Sequence, residues 1–221
     1  MKKNGKKFLI LGIASGVIFI LWTWAVQAVD VQPLGQNGTL IGFATFNCWF
    51  HELTGVHMLI YTITDWLGLV PLGVCMIFGG VGLNQWIKRK RLWKVDYDVM
   101  LLGVYYIMVI LGYLIFEMIP INYRPVLIDE FMEASYPSST TLLVLSVMPT
   151  LVFQTNRRVK SSAVKKGVWI LSAVFSIFMV IGRLVSGVHW FTDIVGAVLL
   201  SIGLFSIYQA MVLWLDNTNK K

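Results

Sequence analysis

The chain has 221 residues, of which 57% are apolar and only 13% are charged, and its net charge is +7 at neutral pH. A soluble domain carries about 25% charged residues, so this composition argues against a soluble protein and favours an integral membrane protein. The basic residues do not indicate nucleic-acid binding, because their distribution along the chain follows membrane topology.

Long apolar runs predict an all-α protein with a single membrane domain of six transmembrane helices, since about 20 apolar residues span the hydrocarbon core. We place these helices at residues 8–29, 63–86, 97–119, 139–154, 167–183 and 193–215. The first run is too long for the core of a signal peptide, which has about 7–15 residues, so we expect an uncleaved helix. The aromatic segment 39–61 contains polar side chains and predicts an interfacial or re-entrant helix.

The basic residues orient these helices, because Lys and Arg stay on the cytoplasmic side. All but two of the 18 fall in the termini or in the loops after the second and fourth helices. We therefore expect both termini in the cytoplasm, and the short loops are typical of a bacterial plasma membrane protein. The exceptions, Arg124 and Arg183, lie at outer helix ends. They are candidate site residues or, alternatively, lipid headgroup anchors.

The outer face contains residue types that bind phosphate. Two guanidinium groups, those of Arg124 and Arg183, suit the fixed geometry of a tetrahedral oxyanion. Ser138 and Ser139 open the fourth helix, where hydroxyl groups and free backbone N–H groups also favour an anion. A simpler interpretation of this segment is an ordinary helix N-cap. The convergence of all four residues on one face favours the phosphate site.

A candidate nucleophile lies on the same face. His189 and Asp193 are four residues apart, so at the start of a helix they share one face. A carboxylate in that position can hold the imidazole in one tautomer and stabilise its cation. An imidazole oriented in this way can attack phosphorus. A histidine at a helix start is more often a polar cap, and its proximity to the two arginines is what favours catalysis.

From residue 97 to residue 213 the chain resembles the type-2 phosphatidic acid phosphatase superfamily, which includes lipid phosphate phosphatases. The family has the motifs Lys-x6-Arg-Pro, Pro-Ser-Gly-His and Ser-Arg-x5-His-x3-Asp. The resemblance implies that His189 forms a phosphohistidine and that Asp193 orients it. It also implies that Arg124 and Arg183 bind phosphate, in a six-helix membrane protein with its motifs on one face.

Three departures from these motifs matter for function. Glu117 replaces the lysine of the first motif, and Gly182 replaces the serine of the third. Thr140 replaces the histidine of the second motif, which in the family protonates the leaving group. Glu117 would repel a phosphate, so we expect it to pair with Arg124 or to point away from the site.

The threonine leaves two interpretations open. The chain is either a catalytically impaired lipid-phosphate-binding protein or an active enzyme that prefers lipid diphosphates, because a phosphate leaving group needs little help from a general acid. Another group could also supply the proton. The candidates on the outer side are Glu130, Glu133, His51 and His57.

The expected activity is hydrolysis of a phosphoric ester or diphosphate of a membrane lipid at the outer face. A lipid phosphate substrate and membrane lipids are the expected partners, and nucleic acid is not. We expect no cofactor and no metal, because His51 and His57 lack carboxylates at metal-ligand spacing. A transporter is a rival class, although the sequence shows no internal repeat.

Two further features concern packing. Gly12 and Gly16 form a small-xxx-small pair, which permits close helix packing within the chain or in a homodimer. Cys48 and Cys75 have no metal-binding spacing, and a single sequence does not reveal whether they form a disulfide. We expect both to be ordinary apolar packing residues.

Overall fold

The computed structural model describes residues 3–218, so Lys2, Lys220 and Lys221, which contributed to the predicted orientation, lie outside the described residues. Eight α-helices make up the described part and no β-strand occurs in it, which confirms the predicted all-α class. The helices are α1 (Lys3–Ala28), α2 (Ala44–Thr54), α3 (Met58–Leu67), α4 (Leu69–Arg89), α5 (Tyr97–Met118), α6 (Ser139–Arg158), α7 (Ser162–Val185) and α8 (Phe191–Thr218).

Five described segments are long and apolar enough to cross a membrane, so the protein is a multi-pass membrane protein. These segments are Asn4–Ala28, Met58–Arg89, Tyr97–Met118, Ser162–Val185 and Phe191–Thr218. The second segment joins α3 and α4, which meet at Gly68. In place of one interfacial helix over residues 39–61, the structure has the short helix α2 and the first turn of α3.

Helix α6 is more polar than the others, and its position explains why. It packs against α4, α5, α7 and α8, and nine of its residues are buried. A helix that its neighbours shield from lipid does not need an apolar surface on every side. At 20 residues, α6 is about 30 Å long, which matches the thickness of the hydrocarbon core.

A charged cluster joins α5, α6 and α8 at one end of the bundle. The buried carboxylate of Asp98 accepts hydrogen bonds from Arg157 Nε at 3.0 Å and from Arg158 Nη1 at 2.8 Å. Arg157 also pairs with Asp216 of α8 at 2.8 Å. Two arginines compensate the buried charge of Asp98, so the cluster fixes this end of α6. The opposite end of α6 carries the residues of the predicted site.

The small residues of α1 pack within the chain. A Cβ atom on Gly12 would lie 2.7 Å from Ile207 Cγ1, so the glycine lets α1 approach α8 closely. This contact accounts for Gly12 without a second copy of the chain, and the homodimer stays a prediction. Cys48 and Cys75 are both half-buried and unpaired with each other.

Candidate active site

The loop between α5 and α6 folds back on itself and positions Arg124. The backbone N–H of Arg124 donates to the carbonyl of Glu133 at 3.0 Å, and the N–H of Ser135 donates to the carbonyl of Asn122 at 2.9 Å. Trp190, the neighbour of His189, donates its indole N–H to the carbonyl of Tyr123 at 2.8 Å. These bonds place Arg124 beside the loop that carries His189.

The side chain of Arg124 is buried and only partly satisfied. Its Nε lies 3.0 Å from Oε2 of Glu133. Its Nη1 is buried without a hydrogen-bond partner in the described part of the chain. The expected pairing with Glu117 is therefore wrong, because Glu133 takes that place. Glu117 is exposed and lines the same cavity as Arg124.

Arg183, in the last turn of α7, is 1% exposed. Its Nη2 donates to Oγ1 of Thr140 at 2.5 Å and to Oδ1 of Asp65 at 3.1 Å. Its guanidinium carbon lies 4.8 Å from the ring centre of Tyr61, and that of Arg124 lies 5.8 Å from the same centre. The structure therefore brings the two predicted phosphate ligands together around one aromatic ring.

His189 lies in the loop between α7 and α8 and is 4% exposed. Its Nδ1 is 3.8 Å from Oδ2 of Asp193, which is close enough for an ion pair but too long for a hydrogen bond. Neither ring nitrogen has a hydrogen-bond partner among residues 3–218. Asp193 accepts instead from the backbone N–H of Trp190 at 2.9 Å and from the side-chain amide of Asn122 at 3.3 Å.

The surroundings of His189 keep its imidazole neutral. Burial, together with the positive charges of Arg124 and Arg183, lowers the pKa of His189 well below its ordinary value, and an interaction with the backbone of Ser135 opposes this shift. A neutral imidazole has a free lone pair, which a nucleophile requires.

The first turn of α6 supplies the remaining predicted residues. Ser138 is buried, and its hydroxyl group donates to Oγ1 of Thr141 at 3.1 Å. Its backbone N–H donates to the carbonyl of Asp193 at 3.2 Å. Ser139 lines two cavities, whereas Ser138 is not in the lining of either. Thr140 faces Arg183, so Ser139 and Thr140 are better placed than Ser138 to meet a bound ligand.

A polar cavity and an apolar groove meet at this end of the bundle. The cavity has a volume of about 170 Å³ and is lined by Arg124, Glu117 and Glu133. The groove, of about 430 Å³, lies between α4, α5 and α6 and contains mainly leucine, valine and isoleucine side chains. Tyr113 and Ser139 line both. A charged headgroup and an apolar chain can therefore be bound side by side.

Three of the candidate proton donors are exposed or already have another hydrogen-bond partner. Glu130 is exposed at the tip of the loop. A ring nitrogen of His51 lies 3.0 Å from the carbonyl of Gly187, and one of His57 lies 2.9 Å from the carbonyl of Thr54. Sequence reasoning missed Asp65 and Tyr61. The signal for Asp65 was present, because it is a charged residue inside a predicted span.

The described residues include no group of three or more His, Cys, Asp or Glu side chains that could hold a metal ion. The arrangement consists instead of two arginines, a neutral histidine and a buried carboxylate. These groups can bind a phosphate and attack it.

Comparison with known proteins places this arrangement in a family. The model of the PAP2 superfamily matches residues 93–217, which include both arginines and His189. The search of curated proteins gave no match. Among solved structures, the fold is similar to that of the first transmembrane PAP2 type phosphatidylglycerolphosphate phosphatase from Bacillus subtilis. The TM-score is 0.62 at 18% identity, and the match covers 92% of this chain and 96% of that one. Since the family model covers more than half of the sequence, the chain belongs to the PAP2 superfamily, as its motifs predicted.

Proposed function

We propose that the protein is a membrane phosphatase for lipid phosphates or diphosphates and that His189 is its nucleophile. One observation carries the proposal: the buried imidazole of His189, unpartnered among the described residues and 3.8 Å from Asp193, lies at the same end of the bundle as two arginines that flank a single tyrosine ring. Such a site has the positive charge that binds a phosphate and the lone pair that attacks it. Membership of the PAP2 superfamily supports the same chemistry.

The geometry supports a two-step reaction. Nδ1 of His189 faces Asp193, so Nε2 is the nitrogen that attacks phosphorus. The bond from phosphorus to the leaving oxygen breaks, and its electron pair stays on that oxygen. The positive charge that develops on the imidazole is stabilised by the carboxylate of Asp193. Water then hydrolyses the phosphohistidine and releases inorganic phosphate.

Arg124 and Arg183 bind the transferred phosphoryl group. Each has a buried nitrogen without a described hydrogen-bond partner, Nη1 of Arg124 and Nε of Arg183. A phosphate oxygen satisfies such a donor better than any neutral group, because the hydrogen bond is charge-assisted. Phosphate binding is thus favoured further, because the phosphate oxygens accept hydrogen bonds from two buried donors that have no other acceptor among the described residues.

The apolar groove supports a lipid substrate, and Thr140 supports a diphosphate. The hydroxyl oxygen of Thr140 accepts a hydrogen bond from Arg183 and is too weak an acid to protonate an alkoxide. General acid catalysis typically raises a rate by about 10²–10⁴-fold. A phosphate is stable as an anion, so its departure loses little of that rate when no general acid is present. We therefore expect a prenyl diphosphate to be hydrolysed faster than phosphatidic acid. Phosphatidylglycerolphosphate, the substrate of the similar solved protein, is a further candidate.

We further propose six membrane crossings, with the site at the outer face of a bacterial plasma membrane. The buried helix α6 is the sixth crossing, and an even number puts both termini on one side. Helix α1 runs antiparallel to α8, because Gly12 packs against Ile207 and Trp22 bonds to the carbonyl of Thr192. Lys6 and Lys7 therefore lie at the end of the bundle opposite the site, as do the arginines at the end of α6, one of which pairs with Asp216. Basic residues mark the cytoplasmic side, which supports cytoplasmic termini and an outer site.

The experiment that tests the function is phosphate release by the detergent-purified protein. Prenyl diphosphate, phosphatidylglycerolphosphate and phosphatidic acid serve as substrates, and His189→Ala is compared with His57→Ala. We expect His189→Ala to lose about 10³-fold or more of the activity. His57 is exposed and outside the site, so its variant should retain wild-type activity. Equal rates of release by wild type and His189→Ala would refute the proposal.

A catalytically impaired lipid-phosphate-binding protein is the second candidate, and one observation favours it. Both arginines already have carboxylate partners, Glu133 for Arg124 and Asp65 for Arg183. These carboxylates neutralise part of the positive charge that would otherwise bind a substrate phosphate. Binding of a lipid phosphate without release of phosphate would identify this function.

A further inference from the structure

A group that has protonated the leaving group can next take a proton from the attacking water, and Thr140 stands where the family has such a group. Hydrolysis of a phosphohistidine requires that the attacking water lose a proton. Thr140 cannot accept that proton, because the conjugate acid of a hydroxyl group is far too strong an acid. Asp193 is fully buried and faces the other side of the imidazole, towards Nδ1. Another group beside Thr140 must take the proton.

Asp65 of α3 is beside Thr140. Nη2 of Arg183 donates to both side chains, to Oγ1 of Thr140 at 2.5 Å and to Oδ1 of Asp65 at 3.1 Å. The two side chains therefore meet at the same nitrogen of Arg183. Both residues also line the apolar groove. Asp65 thus lies where the groove meets the arginines.

The exposure of Asp65 suits a base that exchanges protons with water. Its side chain is 56% exposed, although the Arg183 side chain that it contacts is 1% exposed. The 3.1 Å contact with Arg183 holds the Asp65 carboxylate at the edge of the proposed phosphate site. Glu133 is engaged with Arg124, on the side of the polar cavity. Asp65 is the carboxylate that shares a donor with Thr140.

A second departure from the family motifs explains how Asp65 reaches this position. Gly182 stands where the family has serine, and a Cβ atom there would lie 2.7 Å from Cγ2 of Thr64. Thr64 is fully buried and immediately precedes Asp65. The missing side chain therefore lets α3 pack closely against α7. Both departures from the motifs therefore lie beside α3: Gly182 packs against Thr64, and Thr140 shares the Arg183 donor with Asp65.

We propose that Asp65 is the general base for hydrolysis of the phosphohistidine, a role that rests on the proposed function of His189. In this step a water O–H bond breaks and its proton goes to the Asp65 carboxylate. The water oxygen bonds to phosphorus, and the bond from phosphorus to Nε2 breaks with its electron pair returning to His189. The products are inorganic phosphate and a protonated Asp65, which releases its proton to solvent.

The test is accumulation of the phosphoenzyme in Asp65→Asn. With a prenyl diphosphate labelled at its terminal phosphate, this variant should release about one equivalent of lipid monophosphate per enzyme in a rapid burst. It should then retain an acid-labile, base-stable label on His189, while its steady-state turnover falls by about 10²–10⁴-fold. Glu130→Gln, which removes an exposed carboxylate at the loop tip, is the matched control and should behave as wild type.

A double variant separates a base from a structural partner of Arg183. Thr140→His restores the family's residue, so Asp65→Asn with Thr140→His should lose the accumulated label and recover most of the turnover. Without accumulation in Asp65→Asn, or without this rescue, Asp65 only holds Arg183 and the inference is wrong. Vanadate binding by each variant shows whether the folded phosphate site persists. Turnover by wild type that survives His189→Ala would instead overturn the proposed function itself.

Discussion

Replacement of Gly182 by alanine tests the close packing of α3 against α7. The new Cβ atom would lie 2.7 Å from Cγ2 of Thr64, a distance at which one of the two helices must shift. Thr64 is fully buried, and rotation of its side chain would break the hydrogen bonds from its hydroxyl group to the carbonyls of Ile60 and Tyr61. Overpacking of this kind costs about 1–3 kcal/mol. The gain in helix propensity from glycine to alanine offsets about 1 kcal/mol of it.

The control is Gly80→Ala in α4, where a Cβ atom would meet nothing within 4 Å. That variant gains helix propensity without a clash, so it should be unchanged or slightly more stable. Gly182→Ala should be less stable than Gly80→Ala by about 1–3 kcal/mol, measured as the free energy of unfolding in mixed detergent micelles. Its phosphate release should also fall, because a displaced α3 moves Asp65 away from Thr140.

Thr64→Ser completes a double-mutant cycle. Serine keeps the hydroxyl group that bonds to the carbonyls of Ile60 and Tyr61, and it lacks the methyl group that the alanine would strike. The double variant should therefore recover most of the lost stability and activity, with a coupling energy of about 1 kcal/mol or more. Additive losses in the cycle, or a Gly182→Ala protein as stable as Gly80→Ala, would refute the reasoning.

Further predictions concern pH, charge and helix packing. The imidazole of His189 stays neutral in the folded protein and takes up a proton in the unfolded chain. The unfolding free energy should therefore fall as the pH drops below 6.5, and it should fall less in His189→Gln, which serves as the comparison. Glu133→Gln should bind vanadate several-fold more tightly than wild type, as measured by inhibition, because Arg124 loses its competing carboxylate; weaker binding would contradict this. Asp98→Asn should lower the unfolding free energy by about 1.5–3 kcal/mol through weakened hydrogen bonds to Arg157 and Arg158. Its turnover should stay near wild type because the cluster lies at the other end of α6, and a large loss of turnover would argue against that separation.

The sequence predicted the helical class because the physics of the bilayer is simple. Long apolar runs in lipid have to be helical, since every backbone group needs an internal hydrogen bond. The polar helix α6 was harder to delimit. Its residues face other helices, so apolarity predicted a segment ending at residue 154, whereas the helix continues to Arg158.

The residues of the candidate site could be predicted in part, but their contacts could not, because the partners lie far apart in the sequence or depend on how the loops fold. The spacing of His189 and Asp193 indicated a shared face but not the 3.8 Å separation, which arises because Asp193 also caps the backbone of Trp190. Glu117 was the expected partner of Arg124 because it occupies a motif position. The hairpin that brings Glu133 there depends on backbone hydrogen bonds that no local pattern reveals.

Asp65 shows the same limit. It was counted as part of an apolar span, and nothing in its local sequence links it to Arg183, which lies 118 residues away along the chain. Only the packing of α3 against α7 brings the two side chains together. An isolated charge within a span was a usable signal, but it did not identify the partner.

The central claim is that His189 becomes phosphorylated during turnover. The most direct measurement is a single-turnover reaction with a prenyl diphosphate labelled at its terminal phosphate, quenched in base and mapped by peptide mass spectrometry. We expect a label on the peptide that contains His189, stable in base and lost in acid, and no label in His189→Ala. Phosphate release at the wild-type rate without any label on this peptide would contradict it, because the phosphate would then pass directly to water.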